Sequence, residues 1–170
     1  MTLRRRNLRE FQIQLTERIN NAAVASKDSR LGVQIDDDKC LIDLEEVSEI
    51  VPLPDSMTRV PGTQGWFRGL VSHRGVLIGV TDLGQFHRNR PAIVGKDAHL
   101  LVLNQKLGIN AAILVSRLLG LHNLAQMKPL APTGSETWQG GLWSDPGGES
   151  WRELRLSVLA SDLRFMAVAA

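Results

Sequence analysis

Hydrophobic positions in this chain follow two periods, a helical one at the start and an alternating one through most of the rest. Leu8, Phe11, Leu15, Ile19 and Ala22 recur at spacings of three and four, which predicts an amphipathic helix over residues 3–25 with one apolar stripe. Leu31, Val33 and Ile35 then alternate as a strand, Asp36, Asp37 and Asp38 form a turn, and residues 39–43 begin a return strand. Pro52 and Pro54 interrupt any regular element after Ile50. Val60 and Pro61 are expected in an edge strand, with residues 62–65 as the loop that follows.

Residues 66–83 carry the clearest pattern, that of a β-hairpin tipped by Arg74 and Gly75. On its outgoing side Val76, Ile78 and Val80 share one face while Leu77, Gly79 and Thr81 share the other. Gly75 supplies the positive φ of a tight turn without a Cβ clash, which leaves Arg74 as a charged tip.

The remainder reads as more short strands. Residues 87–96, with Arg88, Arg90 and Pro91, form a connector; residues 98–104 and 109–115 are two buried-type strands joined by a turn near Lys106. A less regular stretch contains Pro129 and Pro132. Another strand starts at Gly140-Gly141-Leu142-Trp143, and Asp145-Pro146-Gly147-Gly148 is a turn. Leu154, Leu156 and Val158 alternate with Glu153, Arg155 and Ser157 as a further strand, and a short helix follows the N-cap pair Ser161-Asp162. Many short strands separated by turns predict a mainly β body.

Composition narrows the chemistry. The 170 residues include four Trp, four Phe and no Tyr, so the core is mostly aliphatic. Cys40 is the single cysteine and cannot form an intramolecular disulfide; with no secretory or membrane-length apolar run, the cytoplasm is the expected compartment. Charge is unevenly spread: residues 1–30 carry seven basic and three acidic side chains, whereas residues 31–60 carry two basic and eight acidic ones. Such asymmetry steers encounters over a Debye length of roughly 8–10 Å.

Catalytic and metal readings find no support. His73, His87, His99 and His122 show no paired ligand spacing, and one cysteine builds no zinc ribbon. Asp36-Asp37-Asp38 lacks the alternation, glycine and terminal acid of a calcium loop and reads as a solvated turn. Ser72, His73 and Asp82 invite a triad, but neighbours on a strand face opposite ways and no nucleophile elbow surrounds Ser72. Gly62, Gly65 and Gly69 are spaced for turns, and no phosphate loop occurs. Cys40 reads as a small buried hydrophobe, and Trp138, Trp143 and Trp151 as covers for barrel ends. No enzyme activity, metal or cofactor is expected.

The order of motifs resembles a known family. Val47-Ser48-Glu49-Ile50, then Arg59-Val60-Pro61, then Gly69-Leu70-Val71-Ser72-His73-Arg74-Gly75 and Asp82-Leu83 are similar to the signature of CheW-like coupling domains, which reads roughly G-V-I-N-L-R-G-x-x-x-P-x-x-D-L. His99-Leu100-Leu101-Val102-Leu103 and Ala111-Ala112-Ile113-Leu114-Val115 resemble the strands that open the family's second half. The likeness runs from about Leu31 to about Leu163. Here Gly79 replaces the hairpin proline, His73 the apolar residue before Arg-Gly, and Ser116 the aspartate of a Val-Asp pair. The N-terminal extension, Trp66 and the small apolar C-terminus look most like PilI-type coupling proteins of type IV pilus chemosensory systems.

That resemblance implies two five-stranded SH3-like barrels side by side with chain segments crossing between them, a helical extension over residues 1–30 and a CheW-like domain over residues 31–168, with subdomain one of about 31–90 plus crossing segments and subdomain two of about 91–165. It implies a non-enzymatic adaptor of a two-component chemotaxis pathway, coupling the cytoplasmic hairpin of a methyl-accepting chemoreceptor to the regulatory domain of a CheA-like histidine kinase in twitching motility. Recruitment to membrane-associated receptor arrays would follow, with no insertion into the membrane itself. The protein-binding residues would be Val47, Glu49, Arg68 and Arg74. Val47 would give apolar contact, Glu49 would orient Arg74, and Arg74 would either bond receptor carboxylates or brace the turn. A second reading is a small barrel that binds single-stranded nucleic acid through Arg68, Arg74, Trp66 and Phe67.

Overall fold

The computed structural model describes residues 27–131 and 134–170; the helix expected over residues 3–25 lies outside the described residues. The chain is mainly β. Strands β1 (Ser29–Ile35) and β2 (Asp38–Asp43) form the first hairpin, β3 (Val47–Pro52) follows, and β4 (Phe67–His73) and β5 (Val76–Thr81) form the second. Helix α1 (Leu83–Arg88) leads to β6 (His99–Leu103), β7 (Ala111–Val115), β8 (Arg117–Asn123) and β9 (Lys128–Leu130). Strands β10 (Gln139–Ser144) and β11 (Ser150–Leu154) and helices α2 (Leu156–Ala160) and α3 (Leu163–Met166) close the chain.

The strands sort into two sheets, β8-β1-β2-β11-β10-β9 and β3-β6-β7-β5-β4. Strands β6 and β7 pair with β3 and β5 and complete the earlier sheet, so the chain crosses between the two sheets. The physical reason is that β6 and β7 are apolar on both faces. Leu101, Leu103, Ala111, Ile113 and Val115 enter the core shared between the sheets, while Leu100, Val102, Ala112 and Leu114 fill the interior of their own barrel with Ile78 and Val80. Only a site covered on both sides satisfies such strands. The other sheet is crossed the same way: Cys40 and Ile42 face the shared core and Leu41 packs with Met127 and Trp151.

Several local expectations need correction. Arg59-Val60-Pro61 forms no strand; isolated bridges, Thr58 with Leu70 and Thr63 with Ala169, flank this segment. Helix α1 stands where a connector was expected to begin, capped by Asp82, whose carboxylate accepts the Gln85 N–H at 3.1 Å. Strands β8 and β9 occupy the stretch read as irregular. The aspartate turn is ion-paired as well as solvated, with Arg88 on Asp38 and Arg90 beside Asp36 and Asp37.

The alternation through Leu154, Leu156 and Val158 breaks after Leu154, where α2 begins. Arg155 caps that helix with no side-chain bond. Instead the Glu46 carboxylate accepts the N–H groups of Leu156 and Ser157, both at 2.9 Å, so a residue from before β3 does the capping. Glu46→Ala is therefore expected to lower stability in urea unfolding by about 1–3 kcal/mol, whereas Glu45→Ala at an exposed neighbour should change it by under about 0.5 kcal/mol; equal effects would remove the capping role. Cys40 is buried, and burial first, then the Asp38 charge, pushes its thiol pKa up to about 12. A neutral-pH thiol reagent should label it only as fast as the protein unfolds; rapid labelling of the native protein would contradict this packing.

Candidate protein-docking site

Turn residues Arg74 and Gly75 both take positive φ, 50° and 78°, the mirror-image turn that suits the right-handed twist of a two-residue hairpin. For arginine this conformation is uncommon, and it is held by its neighbours. Arg74 donates through Nη2 to Glu49 Oε1 at 3.1 Å, and His73 Nε2 lies 2.8 Å from Glu49 Oε2. The Arg74 side chain stays 75% exposed, against 27% for Glu49. Glu49 thus holds the root of the turn and leaves the guanidinium facing solvent.

This cluster also joins two sheet edges. In the backbone ladder β3 and β4 are the outermost strands of their sheet, yet Glu49 on β3 reaches His73 and Arg74 at the end of β4. Curling of the sheet brings those edges together, and side chains close the gap. The hydrogen bond from His73, the largest effect, holds the Glu49 carboxyl below its usual range; burial opposes this, and the charges of His73 and Arg74 add to it.

The expected site residues are not one constellation. Glu49 and Arg74 touch. Val47 opens β3 opposite Leu103, but its side chain is half-buried against the shared core, so only part of it faces out. Arg68 sits at the other end of β4, with Nη1 3.4 Å from Oδ2 of the fully buried Asp82. Sequence reasoning missed His73, although its place next to Arg74 in a polar-for-apolar exchange was the available signal. It also missed the apolar flank of the tip, where Val76 is 37% and Leu77 61% exposed.

Rival chemistries lose their geometry. His73 faces Glu49, while Asp82 bonds Arg68, Gln85 and Ala92, so Ser72, His73 and Asp82 form no relay. Trp66 is buried and stacked on Phe165 with ring centroids 5.8 Å apart, and is not offered to a base. Among the described residues no group of three or more His, Cys, Asp or Glu side chains is placed to hold a metal ion, and no helix is long and apolar enough to cross a membrane.

Residues 30–163 match the family model described as CheW-like domain. The chain belongs to the CheW-like domain family. Its fold is similar to that of the scaffolding protein TtCheW from Thermoanaerobacter tengcongensis, with a TM-score of 0.65 at 19% sequence identity over 76% of this chain and 84% of that one. No curated protein matches the sequence. In this CheW-like domain the exposed arginine of the hairpin tip lies beside the exposed Val76 and Leu77.

The lowered pKa of Glu49 sets a pH dependence with a definite sign. Its stabilising contribution is complete above the ordinary carboxylate value of about 4.3 and fades as pH falls through the lower native value. The stability difference between the parent protein and Glu49→Gln, followed by urea unfolding from pH 7 to pH 3, should shrink only below about pH 4.3. A difference that does not change across this range would show that the charge of Glu49 contributes nothing.

Proposed function

We propose that this CheW-like domain is a non-enzymatic chemotaxis-type adaptor that couples a chemoreceptor to a CheA-like histidine kinase. The observation that carries the reading is the Arg74 guanidinium, held by Glu49 at a hairpin tip and three-quarters exposed beside Val76 and Leu77. A fixed cation next to an apolar shoulder suits a helical hairpin that carries carboxylates along an apolar stripe, the chemistry of a receptor's cytoplasmic tip. The other sheet would face the kinase's regulatory domain. Function in the cytoplasm at receptor arrays, in a PilI-type pathway controlling type IV pili, extends the same reading.

The nucleic-acid reading loses support, because Trp66 is buried and Arg68 is engaged by Asp82. Of its proposed contacts Arg74 is the most exposed, at the far end of β4 from Arg68.

The partly buried position of Val47 makes Val47→Glu a test of packing as well as docking, so Arg74→Ala is the cleaner variant. Against an immobilised receptor-tip hairpin, Arg74→Ala should weaken binding about thirtyfold, as for loss of a hot spot near 2 kcal/mol. Its thermal midpoint should stay within a few degrees of the parent's. Undiminished binding would overturn the assignment of this tip.

A further inference from the structure

A second surface lies at the opposite end of β4 from the tip. Arg59, Val60, Thr63, Gln64, Phe67 and Arg68 line a groove of about 250 Å³. Its walls are fixed. The Thr63 hydroxyl donates to Val60 O at 2.7 Å, Gln64 N–H donates to Val168 O at 2.8 Å, and Ala170 N–H donates to Gly62 O at 2.9 Å. At Gly69, φ 133°, the chain passes so close to residue 58 that a Cβ would lie 2.4 Å from Thr58 O and 3.3 Å from Arg59 N. That crossing sets Arg59 beside Arg68.

The two arginines are available in different ways. Arg59 is exposed and has no ion pair or side-chain hydrogen bond among the described residues. Arg68 is held by the buried carboxylate of Asp82 through one guanidinium N–H, which leaves most of its five donors unspent. No acidic side chain lines the groove. Residues 168–170 brace the loop that carries Thr63 and Gln64 through their bonds to Gln64 and Gly62.

We infer that this groove docks an acidic segment of a partner protein, taking a carboxylate between Arg59 and Arg68. Two guanidinium forks in a walled groove match carboxylates in both charge and shape. The chain's own residues 1–26 are the wrong occupant, with five arginines against two glutamates. Nucleic acid is disfavoured because Trp66 is buried under Phe165, and Phe67, the aromatic ring of the groove, is half-buried and packed against Trp66 and over Gly79. The surface is separate from the Arg74 tip, so it stands or falls independently of receptor docking there.

The test is an NMR titration of the full chain with the capped tripeptide acetyl-Asp-Leu-Glu-amide, its neutral analogue acetyl-Asn-Leu-Gln-amide, and an oligothymidylate. The acidic peptide should give saturable shifts at Thr63, Gln64, Gly65 and the Arg68 side chain, and the neutral peptide should not. Arg59→Glu should weaken the acidic peptide at least about tenfold while leaving the spectrum around Arg74 unchanged. Arg59 is the residue to change because Arg68→Ala would strand Asp82 in the interior. The inference is overturned by the absence of saturable shifts, by equal shifts from the neutral peptide or the oligonucleotide, or by an Arg59→Glu variant that binds as before. It is equally overturned if the groove resonances move with protein concentration alone, which would make a second copy the occupant.

Discussion

The Asp82 carboxylate is completely buried, and a charge in that position persists only if its oxygens are spoken for. Oδ1 accepts the Gln85 N–H that starts α1, and Oδ2 accepts the Ala92 N–H at 2.8 Å and the Arg68 guanidinium. One side chain therefore joins the exit of β5, the first turn of the helix, the loop beyond it and the entry of β4. This is the base of the hairpin. With the base fixed in an aliphatic core by Ile78 and Val80, the two strands project their turn outward as a stiff ribbon. Presentation of Arg74 at one end and placement of Arg68 at the other are consequences of the same buried ion.

The second constraint is that the sheets share side chains from both faces of β6 and β7. A strand buried on both sides cannot shift by one residue without exchanging two full sets of apolar contacts. The joint between the sheets is accordingly made of core rather than of a linker. Trp138, buried, and Phe86 lie within it, and Phe165 on α3 packs edge-on to Phe86 at 5.8 Å. The C-terminal residues are thus drawn back onto the loop before β4, where Gln64 N–H donates to Val168 O and Ala170 N–H to Gly62 O.

What could be read locally was read well from the residues that act locally. The second hairpin followed from alternation and from Arg74-Gly75, whose positive φ values need a glycine in the pair. The final helix followed from Asp162, which accepts the Arg164 N–H. Helix α1 escaped because six residues are too few to show a helical period; the Asp82 to Gln85 capping spacing was its only mark. Strand β8 escaped because its residues are mostly half-buried and broken by Gly120 at φ 86°, so no alternation stands out. The end of β11 was unreadable for a different reason. Its helix cap, Glu46, comes from 110 residues earlier, and a hydrogen bond across that separation leaves no trace in the nearby pattern. The site divides in the same way: Arg74 was legible as a turn residue and Glu49 through the family motif, whereas His73 as a partner of Glu49 depends on how the sheet curls.

That curl explains why polar side chains close this barrel. The β3 edge ends at Pro52, which has no N–H to offer a further strand, and the β4 edge is touched only by the single bridge from Thr58. Glu49, His73 and Arg74 then cover the remaining gap with charge, which discourages another sheet from adding to either edge. The same charges leave Val76 and Leu77 uncovered beside them. Under the proposed adaptor reading, such a surface would favour helices, whose backbone groups are already paired and whose side chains can meet both the apolar shoulder and the fixed cation at once.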